Sequence, residues 1–225
     1  MGINDTITAF YNMVLPAVTT IEGKSDIKIV GSARRRMSAK EAIPENIHDI
    51  EFVMAHHPST LMHFDLLLKQ GKIKKGHAWG EKYKALIFQQ IKFDVFFHVP
   101  ENRGFQTWLR TGPSDANEWF VAHIKNNAPY VVKEGFIWTL ESCVWKADID
   151  ETGKDRGTWM PNAQSVKIDC PDEWAWFELW GMPYIEPHIR SEFIYKTYMT
   201  IGHQFGVPRK LIQPPPPPPE QTGLF

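Results

Sequence analysis

Two stretches carry carboxylates that strand geometry would gather. In HDIEFVMA (48–55), β-strand alternation sends Asp49 and Glu51 to one face and Ile50 and Phe52 to the other. Carboxylates side by side repel, which is costly unless a cation lies between them. In QQIKFDVFFHV (89–99), Ile91, Phe93, Val95 and Phe97 form the apolar face, which leaves Asp94 with Lys92 and Phe96 on the other. If the two strands are neighbours, three carboxylates meet on one side of one sheet. Hard oxygen ligands of this kind suit Mg²⁺, held by a few carboxylates together with a substrate's phosphates. Taken alone, an Asp-x-Glu pair on a strand is usually just the solvated side of an amphipathic sheet.

A third stretch, IKIVGSARRR, adds an anion site. A strand that stops at Gly31-Ser32 and turns into a helix leaves free backbone N–H groups and a hydroxyl where a phosphate can sit. Arg34, Arg35 and Arg36 follow at the end of the macrodipole that disfavours cations. A solvent-facing basic helix explains them blandly; an anionic ligand explains them chemically. Phosphate donors beside metal carboxylates point to phosphoryl or nucleotidyl transfer.

The elements that must position these residues can be read along the chain. Residues 5–20 suggest a short amphipathic helix capped by Asp5 or Thr6, DIKIVG (26–31) a strand, and SARRRMSAKEAI (32–43) a helix closed by Pro44. Strand HDIEFVMA leads to the helix STLMHFDLLLKQG, a Lys/Gly-rich turn and the strand KALIF, then to QQIKFDVFFHV, the strongest strand signal. TGPSDAN reads as turn chemistry before a helix EWFVAHIKNN, and residues 128–212 hold short strands and the helix PDEWAWFELWGM. The fold class is therefore mixed α/β (α+β). It is expected as a mixed sheet with flanking helices over residues 1–120, a small α+β unit over 121–212 and a tail over 213–225.

Composition narrows the classes. The 225 residues are 43% hydrophobic and 23% charged, ordinary for a globular protein with a sizeable core. With Lys+Arg at 25 against Asp+Glu at 26, net charge gives no support to a protein living on phosphate backbones alone. Two cysteines, Cys143 and Cys170, make neither a disulfide framework nor a CxxC zinc signature. No signal peptide or membrane-spanning run is visible, so a cytoplasmic protein is expected.

VGSARRR, HDIEF and IKFDVFF together resemble the nucleotidyltransferase palm of the family X, β-like repair DNA polymerases. TGPSDAN is similar to that family's Thr-Gly turn, with an Asn six residues after the Thr, and DEWAWFELWGMPYIEPHIR is similar to its closing segment. The resemblance runs in order from about Ile27 to Arg190 and is more specific than the Gly-Ser and Asp-x-Glu signature that many nucleotidyltransferases share. It implies that residues 1–120 are a palm and 121–212 a thumb. It implies that Asp49, Glu51 and Asp94 hold two Mg²⁺, or Mn²⁺ in their place, with Asp94 helping to activate the primer 3′-hydroxyl. Gly31, Ser32 and Arg35 would bind the incoming triphosphate. Asn117 would reach the minor-groove edge of the nascent base pair, and Thr111-Gly112 would shape the turn beneath the sugar. The implied partners are primer-template or gapped DNA and a dNTP, with the chain a monomer.

This sequence departs from the family pattern in places. Glu51 stands where the family usually has Asp, and Leu109 and Arg110 stand where relatives commonly place aromatics against the sugar. The segment from Ser32 to Asp49 is longer than in typical relatives, and only about 25 residues precede the palm, which implies a minimal palm-plus-thumb enzyme. A nucleotidyltransferase that modifies RNA or protein, as in toxin–antitoxin systems, and a non-catalytic adaptor are the competing classes. Asn117 and the thumb-like segment speak against the first, and the three carboxylates against the second.

Other residues invite simpler readings. His56, His57 and His63 lack an accompanying Cys, and surface or core roles suit them better than zinc. Trp176 and Trp180, four apart, share a helix face that suits core packing more than base stacking. Lys72, Lys74, Lys75, Lys82 and Lys84 suit a solvated hairpin tip or a DNA-backbone contact equally.

The sequence closes on PPPPPPEQTGLF. A polyproline II rod rises about 3.1 Å per residue, so six prolines carry the tip about 19 Å outward. Gln221, Leu224 and Phe225 resemble the bacterial sliding-clamp-binding peptide Gln-x-x-Leu-Phe, which implies a clamp partner and a bacterial or phage-infected cell.

Overall fold

Phe10 shows how the first core is built. It stacks on Phe93 at 4.2 Å between ring centres and lies 5.4 Å from Phe52, joining a helix to two strands. The computed structural model describes residues 2–204 apart from 19, 22–23, 128–129 and 153–156. In chain order the elements begin with α1 (Ile3–Val14), β1 (Thr20–Ile21), β2 (Lys24–Ser25), β3 (Ile27–Val30), α2 (Gly31–Ser38), β4 (Asp49–Ala55) and α3 (Pro58–Lys69). Then come β5 (Lys74–Trp79), β6 (Tyr83–Phe88), β7 (Ile91–His98), α4 (Arg103–Thr111) and α5 (Ser114–Asn127). The chain continues through β8 (Tyr130–Lys133), β9 (Phe136–Thr139), β10 (Val144–Lys146), β11 (Thr158–Met160), β12 (Lys167–Ile168), α6 (Glu173–Leu179) and α7 (Glu192–Gln204).

The fold is mixed α/β, as expected. A five-stranded sheet runs β3-β4-β7-β6-β5, with β4 and β7 parallel and the other neighbours antiparallel. Strand alternation gives it one apolar face. Ile50, Phe52 and Met54 of β4 and Phe93, Val95 and Phe97 of β7 are buried there against Ile7, Phe10 and Val14 of α1 and Phe64 and Leu67 of α3. A second core gathers Phe105 and Trp108 of α4, Phe120 of α5, Trp176 and Phe177 of α6, and Tyr195 of α7. Trp108 donates its indole N–H to the Tyr195 hydroxyl at 3.1 Å. The change of core falls between Phe97 and Phe105, so α4 and the start of α5 pack with the later residues rather than with the large sheet.

Several elements differ from their sequence expectation. Lys74–Trp79, read as a turn, is strand β5, and α4 and α7 were not foreseen. α4 lies against both α6 and the β3–β4 edge, and Gly104 permits the first of these contacts. A Cβ on Gly104 would fall 1.8 Å from the Asp172 carbonyl oxygen. Helix α2 ends at Ser38, well before Pro44. Lys40 takes a φ of 60°, and Glu41 N–H returns to the Arg36 carbonyl at 2.8 Å, a left-handed close that stops a helix without proline. Helix α5 opens at Ser114, so SDAN is its first turn. Among the described residues, no helix is long and apolar enough to cross a membrane.

Candidate metal and nucleotide site

The parallel pairing of β4 with β7 sets Glu51 directly opposite Asp94 and Asp49 opposite Lys92. All four lie on the sheet face that α1 and α3 do not cover, which is the convergence the alternation predicts. Asp94 is only 6% exposed and both its oxygens are engaged. The Tyr83 hydroxyl donates to Oδ1 at 2.7 Å, and the Lys92 ammonium donates to Oδ2 at 2.6 Å. The same ammonium reaches Asp49 Oδ2 at 3.4 Å. Pairing with Asp94 raises the Lys92 pKa above its ordinary value.

Glu51 has no such cation on it. Burial, then the charges of Asp49 and Asp94, push its pKa up to about 7, although Arg110 and Arg35 oppose the rise. Its carboxylate lies against the start of α2, where a Cβ on Gly31 would fall 1.7 Å from Oε2. Gly31 also holds a φ of 69°, so position 31 requires glycine twice over. The N-cap of α2 is Val30, whose side chain makes no capping hydrogen bond to the helix's first amides.

Among the described residues, no group of three or more His, Cys, Asp or Glu side chains forms a ready metal-ligand set. The donor chemistry nonetheless fits a hard divalent cation. A cation, the Lys92 ammonium, already bridges two of the carboxylates, and burial, then their charge, raises the pKa of the third. The cation that two adjacent carboxylates require is here a side chain.

The three arginines of α2 have different partners, and an external anion is not needed to explain them. Arg34 donates to Glu173 Oε2 at 2.5 Å and to Thr111 Oγ1 at 2.8 Å. Glu173 in turn accepts from Arg190 at 2.9 Å. Burial alone would raise the Glu173 pKa, but Arg34 and Arg190 hold it down to about 2. Arg36 pairs with Glu41 at 3.3 Å on the surface. Arg35 donates to the Thr111 carbonyl, and a Cβ on Gly112 would sit 2.9 Å from its Nη1. Thr111-Gly112 therefore lies against Arg35, and Gly31, Ser32, Arg35 and Glu51 form one neighbourhood.

Asn117 is buried, and its amide donates to the Leu109 carbonyl at 2.9 Å while Oδ1 has no protein partner. Arg110, at the position where an aromatic is common in the resembling family, lies 3.9 Å over the Phe96 ring, in the field of Glu51, Tyr83 and Asp94. Tyr83 escaped the sequence reading, and Arg110 entered it only as a departure from the family pattern. Tyr83 opens a strand whose register on Phe96 only the sheet reveals, and Arg110 belongs to an unforeseen helix.

His57 accepts from Ser59 N–H at the start of α3, and His63 bonds the Met13 carbonyl. Trp176 is fully buried. Lys72, Lys74, Lys75 and Lys82 are exposed, whereas Lys84 is buried over the Trp79 ring. Gln221, Leu224 and Phe225 lie outside the described residues. No protein-family model matches the chain, and no curated protein matches it either.

Proposed function

We propose that this protein is a metal-dependent nucleotidyltransferase that adds deoxynucleotides to a primer 3′-end on a DNA template, a minimal enzyme like those of family X. The observation that carries this reading is the in-register placement of Glu51 beside Asp94, with Asp49 two residues before Glu51, next to the start of α2. Asp49, Glu51 and Asp94 would hold Mg²⁺ or Mn²⁺, which when bound polarises phosphate oxygens and acidifies a coordinated hydroxyl. Asp94 would help activate the primer 3′-hydroxyl, its carboxylate held in orientation by the Tyr83 hydroxyl. The amides of Gly31 and Ser32 would receive the triphosphate, with Arg35 swinging from the Thr111 carbonyl to meet it. A sliding clamp bound through Gln221, Leu224 and Phe225 would hold the enzyme on gapped or primed DNA in a bacterial or phage-infected cell.

Two observations favour a second reading. The Asn117 amide is committed to the α4 carbonyls, and Arg110 takes the place of a sugar-packing aromatic, which suits nucleotidyl transfer without a templating base pair. Primer extension on gapped, primed and unprimed substrates, with Mg²⁺ and with Mn²⁺, separates the two. Template-directed incorporation that disappears in folded Asp49→Ala and Asp94→Ala supports the polymerase. Normal extension by either variant would overturn the catalytic assignment, and label transfer to unprimed acceptors would favour the second reading.

A further inference from the structure

The Lys92 ammonium bridges two carboxylates that the proposed reaction requires for metal, and its side chain is 39% exposed. It stands two residues from Asp94 on β7 and directly opposite Asp49 on β4, so its position is fixed by the strand register. Asp94, by contrast, is nearly buried and without it would face Glu51 and Asp49 with only the Tyr83 hydroxyl bond and the field of Arg110. We propose that Lys92 is a resident counter-cation, a positioning residue that holds Asp49 and Asp94 at the site in the metal-free protein and is displaced into solvent when a divalent cation binds. The inference rests on Asp49, Glu51 and Asp94 being the metal ligands.

The structure supports both halves of the exchange. The displaced ammonium can be hydrated, because its side chain is 39% exposed, while the entering cation takes over its charge on the nearly buried Asp94. Nothing is covalently changed, and the site gains one positive charge among its carboxylates, since a divalent ion replaces a monovalent one. The Tyr83 bond to Asp94 Oδ1 keeps that carboxylate oriented while Oδ2 is released. The Arg110 guanidinium sits 3.9 Å over the Phe96 ring, whereas the Lys92 ammonium sits on the carboxylates themselves.

The test reads metal binding, without DNA or nucleotide. Free Mn²⁺ is counted by electron paramagnetic resonance in titrations of the wild type, Lys92→Met and Lys92→Arg. Lys92→Met should bind Mn²⁺ about fivefold or more tightly than wild type, having lost a competing cation, whereas Lys92→Arg should stay near wild type. The wild type supplies a measurement that needs no variant. In EDTA, Lys92 should react slowly with an amine-modifying reagent, read by peptide mass spectrometry, and Mn²⁺ should speed its modification. A folded Lys92→Met with unchanged or weaker Mn²⁺ affinity would overturn the proposal. So would a Lys92 reactivity indifferent to Mn²⁺, or a wild type and variant that both fail to bind the ion. If the affinity contrast appears but no nucleotide is incorporated, the polymerase reading fails and the counter-cation stands. Incorporation without the contrast has the opposite meaning.

Discussion

Replacing Glu173 with glutamine would leave two guanidiniums facing a neutral amide in a site that is almost dry. Glu173 is 4% exposed, Arg190 is 3% exposed, and Arg34 reaches it from α2, so the triad ties the sheet-side helix to the second core. Its folded pKa of about 2 lies about 2.5 below the ordinary 4.5, and at about 1.4 kcal/mol per pH unit the ionised carboxylate contributes ~3 kcal/mol. That agrees with the ~3–5 kcal/mol lost when one partner of a buried ion pair is removed. Urea unfolding at pH 7 should show Glu173→Gln less stable by ~3 kcal/mol with an unchanged denaturant slope. The pH dependence follows from the depressed pKa. The unfolded chain binds a proton near pH 4.5 that the folded chain refuses until about pH 2, so the contribution is whole above 4.5 and lost as pH falls between the two. Wild type should lose stability across that window, and Glu173→Gln should lose correspondingly less. A variant within ~1 kcal/mol of wild type at pH 7, or an equal acid loss in both proteins, would refute the electrostatic argument.

Gly104→Ala would drive a Cβ into the Asp172 carbonyl, and because backbone must move, its melting temperature should fall well below wild type in a thermal scan; an unchanged value would show that α4 and α6 are free to separate. Deleting residues 221–225 should leave incorporation on short primers nearly unchanged while abolishing clamp binding in a pull-down and any clamp stimulation; undiminished clamp binding would give the tail another role.

Part of the site was legible because it follows from a two-residue period. Asp49 with Glu51, and Asp94 opposed to Phe93 and Val95, needed only the rule that neighbours on a strand face opposite ways. The Gly-Ser start of α2 needed only the junction of strand and helix. Helix ends were less legible: Pro44 suggested a stop that Lys40 and Glu41 had already made through backbone conformation. Helix α4 was missed because GFQTWLRT begins with glycine and carries its apolar residues into the second core rather than toward its sequence neighbours.

Sequence alone determined the mixed class, the two carboxylate-bearing strands and the faces on which their side chains lie, since all of these are set by local geometry. Which cation answers those carboxylates was decided by tertiary structure. Lys92 meets Asp49 because two strands separated by a helix and a hairpin pair in parallel at one register. Arg34 is neutralised from 139 residues away, and Tyr83 reaches Asp94 only when β6 and β7 fold back on each other. A charge in the sequence carries no record of its partner. Coulomb attraction and desolvation depend on distance and burial, and both come into being only when the chain closes on itself.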